Sequence, residues 1–376
     1  MLTIHVGLHK TGTTSIQRGL RGVSTEEFGK FRYLEVGNGE YSDLFSIPFR
    51  AVQESSRADS NPIARNLRAG HHVVLSNESF LGRPFAPEVG EMYSRATDSA
   101  AAICDFFSER TPFQMVIYLR AQHDWMESLY NQYARNLGLS QAVDSTDFAE
   151  RSISAMYFSW TRLITDLKEE IGPNRLIVRA YRPGMDVVGD FSKLLGIETA
   201  TYVVNQERQN PSRTAEQVAL RQQLLDALEA ADQSLTAADR RDLLHWTIQH
   251  AIHRGVFTSS DFVGTSMFTR SVQARLIQIA ADDWQNLPMV VADTQMAEPY
   301  QFQTIAQDLQ QARIKPYLGF LDEVPIGKEA IRLLAEVLLS ERIYARKLPL
   351  RMRELAMSVR ARTRRGIKRI PLIDGA

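Results

Sequence analysis

The apolar run Leu2-Thr3-Ile4-His5-Val6 ends at Gly7 and is followed by Leu8-His9-Lys10-Thr11-Gly12-Thr13-Thr14-Ser15. No other stretch restricts the fold as much. The run reads as a buried strand, and the pattern from about Thr13 onward reads as a helix start. The chain must therefore turn from sheet to helix inside a glycine-bounded loop. Two glycines let backbone N–H groups converge on one point, and the helix adds its positive end there. Lys10 adds a full charge, and Thr13, Thr14 and Ser15 add hydroxyl donors. A bare strand–helix connection explains the glycines, but not a lysine and four hydroxyls within residues 10–15. The loop is built to hold an anion.

It departs from the triphosphate-binding pattern G-x-x-x-x-G-K-[ST]. Gly7 and Gly12 have that separation, but Thr13 stands at the lysine position and the lysine comes early, as Lys10. A second anion site follows later. Gln114-Met115-Val116-Ile117-Tyr118-Leu119 is an apolar run suited to a buried parallel strand. Arg120 comes next, at the strand end where open α/β sheets bind ligands. Asp124 then opens a helical pattern that carries Ser128. An arginine grips a phosphate through two parallel N–H bonds, and a serine hydroxyl can donate to it as well.

The K-T-G-T-T loop and the strand-Arg-x7-Ser pattern together resemble the sulfotransferases that use 3′-phosphoadenosine 5′-phosphosulfate (PAPS). The resemblance covers residues 1–225, and Asn210-Pro211-Ser212 is similar to a signature of bacterial members. It implies an α/β fold, with a parallel β-sheet flanked by helices as in P-loop NTPases. It implies that Lys10, Thr11, Gly12, Thr13, Thr14 and Ser15 hold the 5′-phosphate, with Lys10 stabilising charge on the leaving group. Arg120 and Ser128 would hold the 3′-phosphate, and Tyr181 would lie by the adenine. Cytosolic members carry a catalytic histidine where Glu78 follows the strand Val73–Asn77. Glu78 is therefore the expected base for the acceptor hydroxyl, with His9 as the alternative. Glu78 capping a helix or pairing with an arginine is the plainer possibility. No metal is expected, because a moving sulfuryl group carries less charge than a phosphoryl group.

The acceptor is expected to be a hydroxyl of a polysaccharide or glycolipid, and no specific nucleic acid is expected. Arg32, Tyr33, Tyr41, Tyr133 and Arg135 are candidate pocket walls by position. Two other readings stay open. One is a P-loop kinase or phosphotransferase, with Met289–Asp293 as a late strand that brings Asp293 to Mg²⁺. The other is a non-catalytic glycan-binding protein on the same fold.

Strands are expected at 2–7, 72–76, 114–119 and 175–180. They alternate with helices at 13–21, up to Ala69, 88–109, 123–136, 147–171 and 191–197. Residues 29–62 read as irregular. Alternation of this kind argues for a parallel sheet covered on both faces. Further helices are expected at 214–232, 236–253 and 327–344, while 258–325 has no clear pattern. The organisation expected is a sulfotransferase-like domain over 1–230, a mostly helical extension over 231–341 and a basic tail over 342–376.

Net charge is zero, with 44 basic and 44 acidic residues, so no strong overall field selects a partner. The distribution is uneven. From Arg342 to Arg369 the tail holds eleven Lys or Arg and one acid, Glu354, so the rest of the chain is net acidic by the same amount. Such a tail suits an anionic membrane surface or a charged polymer, and a solvated terminal helix or disordered tail is the plainer alternative. The single cysteine, Cys104, excludes an intrachain disulfide. No leader pattern precedes the loop, and no run of about 18 apolar residues occurs. The expected location is the cytoplasm, with the tail as a peripheral contact at the inner membrane face. The oligomeric state is not legible.

Overall fold

Five strands pair side by side, all parallel, in the order β2-β3-β1-β4-β5. They are β1 (Leu2–Val6), β2 (Phe31–Glu35), β3 (His72–Asn77), β4 (Phe113–Arg120) and β5 (Leu176–Tyr181). The helices are α1 (Thr13–Arg21), α2 (Pro62–Arg68), α3 (Ala96–Phe107), α4 (Gln122–Leu137), α5 (Ser145–Ser154), α6 (Trp160–Ile171), α7 (Val187–Leu195), α8 (Arg270–Val291) and α9 (Pro299–Gln310). This computed structural model describes residues 1–21, 31–35, 62–78, 80–82, 84, 92–107, 112–137, 143–197, 266–295 and 299–315. The helices expected at 214–232, 236–253 and 327–344, the Asn210-Pro211-Ser212 signature, Tyr41 and the basic tail lie outside the described residues. So does the Arg135 side chain.

The fold is α/β, a parallel sheet flanked by helices with a helical C-terminal part. Every residue of β1 and of β4 is buried, so both faces of the sheet are covered at its centre. On one face α1 and α7 lay Ile16, Leu20, Val187, Val188, Phe191 and Leu195 over Val74, Val116, Tyr118 and Ile177. The buried residues of α1, Thr13, Ile16 and Leu20, lie three and four apart, which gives the stripe that this packing needs. At the sheet's centre the same face holds a buried histidine. His5 Nδ1 is 2.8 Å from Ser76 Oγ, and the ring lies between those of Tyr118 and Phe191.

Three expectations need correction. Residues 31–35 form the edge strand β2 inside a tract that reads as irregular; Phe31 and Tyr33 alternate with Arg32 and Leu34 and pack against the core. The helix expected over 147–171 is two helices, broken by a 3₁₀ turn at Met156–Phe158. The break has a distant cause. Asp283, on α8, accepts from Trp160 N–H (2.7 Å), Ser159 Oγ (2.6 Å) and Gln122 Nε2 (2.6 Å), and so caps the start of α6. Third, Met289–Val291 is not a strand but the last turn of α8. Asp293 is exposed and pairs with Lys168. Two residues on, Gln295 N–H donates to Leu176 at the start of β5, the opposite sheet edge from the loop. Asp293 therefore stands in no position to act as a metal ligand beside the loop.

The chain divides into two compact units. The first comprises residues 1–132, 143–212 and 268–315 and contains the sheet together with α8 and α9. The second comprises residues 133–142, 213–267 and 316–376, nearly all outside the described residues. No described helix is long and apolar enough to cross a membrane.

Candidate active site

The sheet places the candidate residues along one edge. Val6 and Asn77 are partners at the ends of β1 and β3, so the loop and Glu78 leave the sheet side by side. Arg120 and Tyr181 are partners at the ends of β4 and β5. All four features share the C-terminal edge, where ligands of open parallel sheets bind.

The loop from Gly7 to Gly12 is tightly specified. A Cβ on Gly7 would lie 1.9 Å from Thr13 Oγ1. The Thr13 side chain is buried against that glycine, and its hydroxyl has no hydrogen-bond partner among the described residues. Gly12 has φ +84°, and a Cβ there would meet Val187 Cγ1 at 2.8 Å and the Tyr181 ring at 3.3 Å. Gly12 C=O accepts the N–H groups of Ser15 and Ile16, which starts α1. Thr11 donates its hydroxyl to Leu8 C=O and so braces the loop from within. Thr14 is half-buried and Ser15 exposed on the first turn of α1.

Lys10 has a left-handed backbone (φ 67°), a conformation that costs a non-glycine residue about 1–2 kcal/mol. Three side chains from other elements hold the loop in that shape. Arg120 Nη1 donates to Lys10 C=O at 3.2 Å. Trp125 Nε1 donates to His9 C=O at 2.7 Å. His9 N–H donates to the Tyr93 hydroxyl at 3.0 Å. Arg120 is itself fixed: its C=O accepts from Trp160 Nε1 at 2.7 Å, and its guanidinium lies 5.8 Å from the Tyr181 ring centroid. Its Nε is buried with no hydrogen-bond partner among the described residues.

His9 Nε2 lies 4.0 Å from Glu78 Oε1, close but beyond hydrogen-bond distance. Burial holds the His9 imidazole below the usual histidine range; the nearby Glu78 carboxylate opposes this and Lys10 adds to it. Burial likewise keeps the Tyr93 hydroxyl well above the usual phenol range, so it stays protonated. Ser128 is buried on the second turn of α4, the helix that follows Arg120 after a single residue. Close to Arg120, His123 Nδ1 is also buried with no hydrogen-bond partner among the described residues. Burial lowers its pKa, helped by Lys315 and Arg120 and opposed by Asp124.

The structure thus brings Lys10, His9, Glu78, Arg120 and Tyr181 around the loop. It turns the Thr11 hydroxyl inward and that of Thr13 against Gly7. Sequence reasoning missed Tyr93 and Trp125. Trp125 had a signal, as the residue after Asp124 on the helix behind Arg120. Tyr93 had none, because its contact spans 84 residues. Among the described residues no three His, Cys, Asp or Glu side chains gather as a metal-ligand set. The chain matches no family model, no curated protein and no solved structure.

Proposed function

We propose that the chain is a sulfotransferase that moves a sulfuryl group from PAPS to a hydroxyl of a carbohydrate or glycolipid. One observation carries this reading. Arg120, from the strand-Arg-x7-Ser pattern, donates to the backbone of the K-T-G-T-T loop at Lys10, so two motifs distant in sequence share one site. The residues present fit a donor with phosphate at both ends of one nucleoside. Lys10 and the start of α1 suit the 5′-phosphate, the buried Arg120 Nε and Ser128 the 3′-phosphate, and the Tyr181 ring, near both Gly12 and Arg120, a flat base.

The donor supplies an activated sulfuryl group. The protein holds and orients it, and Lys10 favours negative charge on the departing phosphate. Glu78, beside the loop and 42% exposed in its side chain, takes the proton of the acceptor hydroxyl. In this reading the enzyme works in the cytoplasm, and the basic tail draws it to an anionic acceptor or to the inner face of the membrane.

The test is mass spectrometry of host glycans and glycolipids after incubation with the protein and PAPS. The expected result is a gain of one sulfuryl group on an acceptor. Phosphorylated products formed with ATP and Mg²⁺, and no sulfated ones with PAPS, would refute the reading.

A further inference from the structure

The His9 ring lies between two protein groups. Its Nδ1 faces the Tyr93 hydroxyl at 3.4 Å, and its Nε2 faces Glu78 Oε1 at 4.0 Å. The same hydroxyl oxygen accepts the His9 main-chain N–H at 3.0 Å. A phenol has one hydrogen to donate, and Tyr93 can donate it to Nδ1 when that nitrogen is bare. Tyr93 is in no position to turn away: it is fully buried, and its ring lies 6.2 Å from that of Trp125, which holds the His9 carbonyl from the other side. A neutral imidazole carries one N–H and one bare nitrogen. If Nδ1 accepts from Tyr93, the hydrogen is on Nε2 and faces the carboxylate. The charged and titratable groups that bear on His9 are Glu78, Lys10 and Tyr93.

We infer that Tyr93 fixes His9 as its Nε2–H tautomer, and that this N–H steers the Glu78 carboxylate toward the acceptor. Tyr93 and His9 are then positioning residues. His9 has no nitrogen left for a substrate proton, whereas Glu78 keeps a second oxygen. What Glu78 does rests on the sulfotransferase reading; the tautomer does not.

The experiment is long-range ¹H–¹⁵N NMR of the free protein, which reports the His9 tautomer without donor or acceptor. Wild type is expected to carry the hydrogen on Nε2, and Glu78→Ala to keep it there. Tyr93→Phe is expected to move it wholly or partly to Nδ1. Wild-type His9 protonated on Nδ1, loss of the Nε2–H form in Glu78→Ala, or an unchanged tautomer in folded Tyr93→Phe each overturns the inference. If Tyr93→Phe does not fold, the wild-type and Glu78→Ala spectra still decide it. Once an acceptor is in hand, Tyr93→Phe should lower kcat about 10- to 100-fold, short of the loss of the base itself, with the KM for PAPS unchanged. A wild-type kcat also overturns it. A protein that shows the expected tautomers yet fails to bind 3′-phosphoadenosine 5′-phosphate instead contradicts the sulfotransferase reading, and leaves the tautomer standing.

Discussion

Arg120 Nη1 donates to the carbonyl oxygen of Lys10 across 110 residues of chain. The bond ties the end of β4 to a left-handed residue of the β1–α1 loop. Arg120 Nε is buried with no hydrogen-bond partner among the described residues. Arg120 thus shapes the loop, and in the proposed function it also holds the 3′-phosphate.

Replacing Arg120 by Ala should remove both. A hydrogen bond to a charged group contributes about 1.5–3 kcal/mol, which is roughly 10- to 100-fold in affinity. Wild type should bind 3′-phosphoadenosine 5′-phosphate more tightly than adenosine 5′-monophosphate, and Arg120→Ala should cut that preference by about this factor. Titration calorimetry of the two nucleotides reads this directly. An undiminished preference in the variant would assign the second phosphate elsewhere.

Gly12→Ala should destabilise the fold by about 1–3 kcal/mol, from a strained backbone and from overlap with Val187. The Tyr181 ring, 3.3 Å from the new methyl, should be displaced with it. Urea unfolding gives the loss of stability. A change below about 0.5 kcal/mol, the usual range for a surface site, would contradict the described loop.

Asp283→Ala should strip α6 of its cap and leave the Trp160 N–H, Ser159 and Gln122 donors without their acceptor. Loss of several hydrogen bonds to one carboxylate should cost on the order of 3–5 kcal/mol. Denaturant midpoints check it. A loss under about 1 kcal/mol would mean that the two helices hold their places without this contact.

Acid should destabilise the protein through His5. An unfolded histidine takes up a proton near pH 6.5, while burial lowers the pKa of folded His5 to about 3. Between these values the unfolded chain binds the extra proton. Stability is therefore complete above the upper value and falls as pH drops through the window. His72, lowered to about 4 chiefly by burial, acts in the same direction. His5→Asn should flatten the dependence of unfolding free energy on pH by up to about 1.4 kcal/mol per pH unit. Unfolding curves across the window show the slope, and an unchanged slope would exclude His5 as the sensor.

Much of the sheet is legible in the sequence because β1, β3, β4 and β5 are apolar runs with their punctuation nearby. Gly7 and Gly12 bound the loop, and Gly172-Pro173 precedes β5. β2 is not legible, since Arg32 and Glu35 dilute a five-residue edge strand set among glycines and prolines. The break before Trp160 is hidden for another reason: its cause is Asp283, more than a hundred residues away. The site divides in the same way. Lys10 and Arg120 sit at motif positions and can be named from spacing. Tyr93 and Trp125 act through one hydroxyl and one indole N–H on a distant backbone, and only the fold brings these together.

The most direct test of the central claim is equilibrium binding of 3′-phosphoadenosine 5′-phosphate to the wild-type protein without metal, beside ATP with Mg²⁺. A sulfotransferase of this kind should bind the bisphosphate, with a thermal stabilisation that grows with its concentration. Binding of ATP with Mg²⁺ and none of the bisphosphate would contradict it.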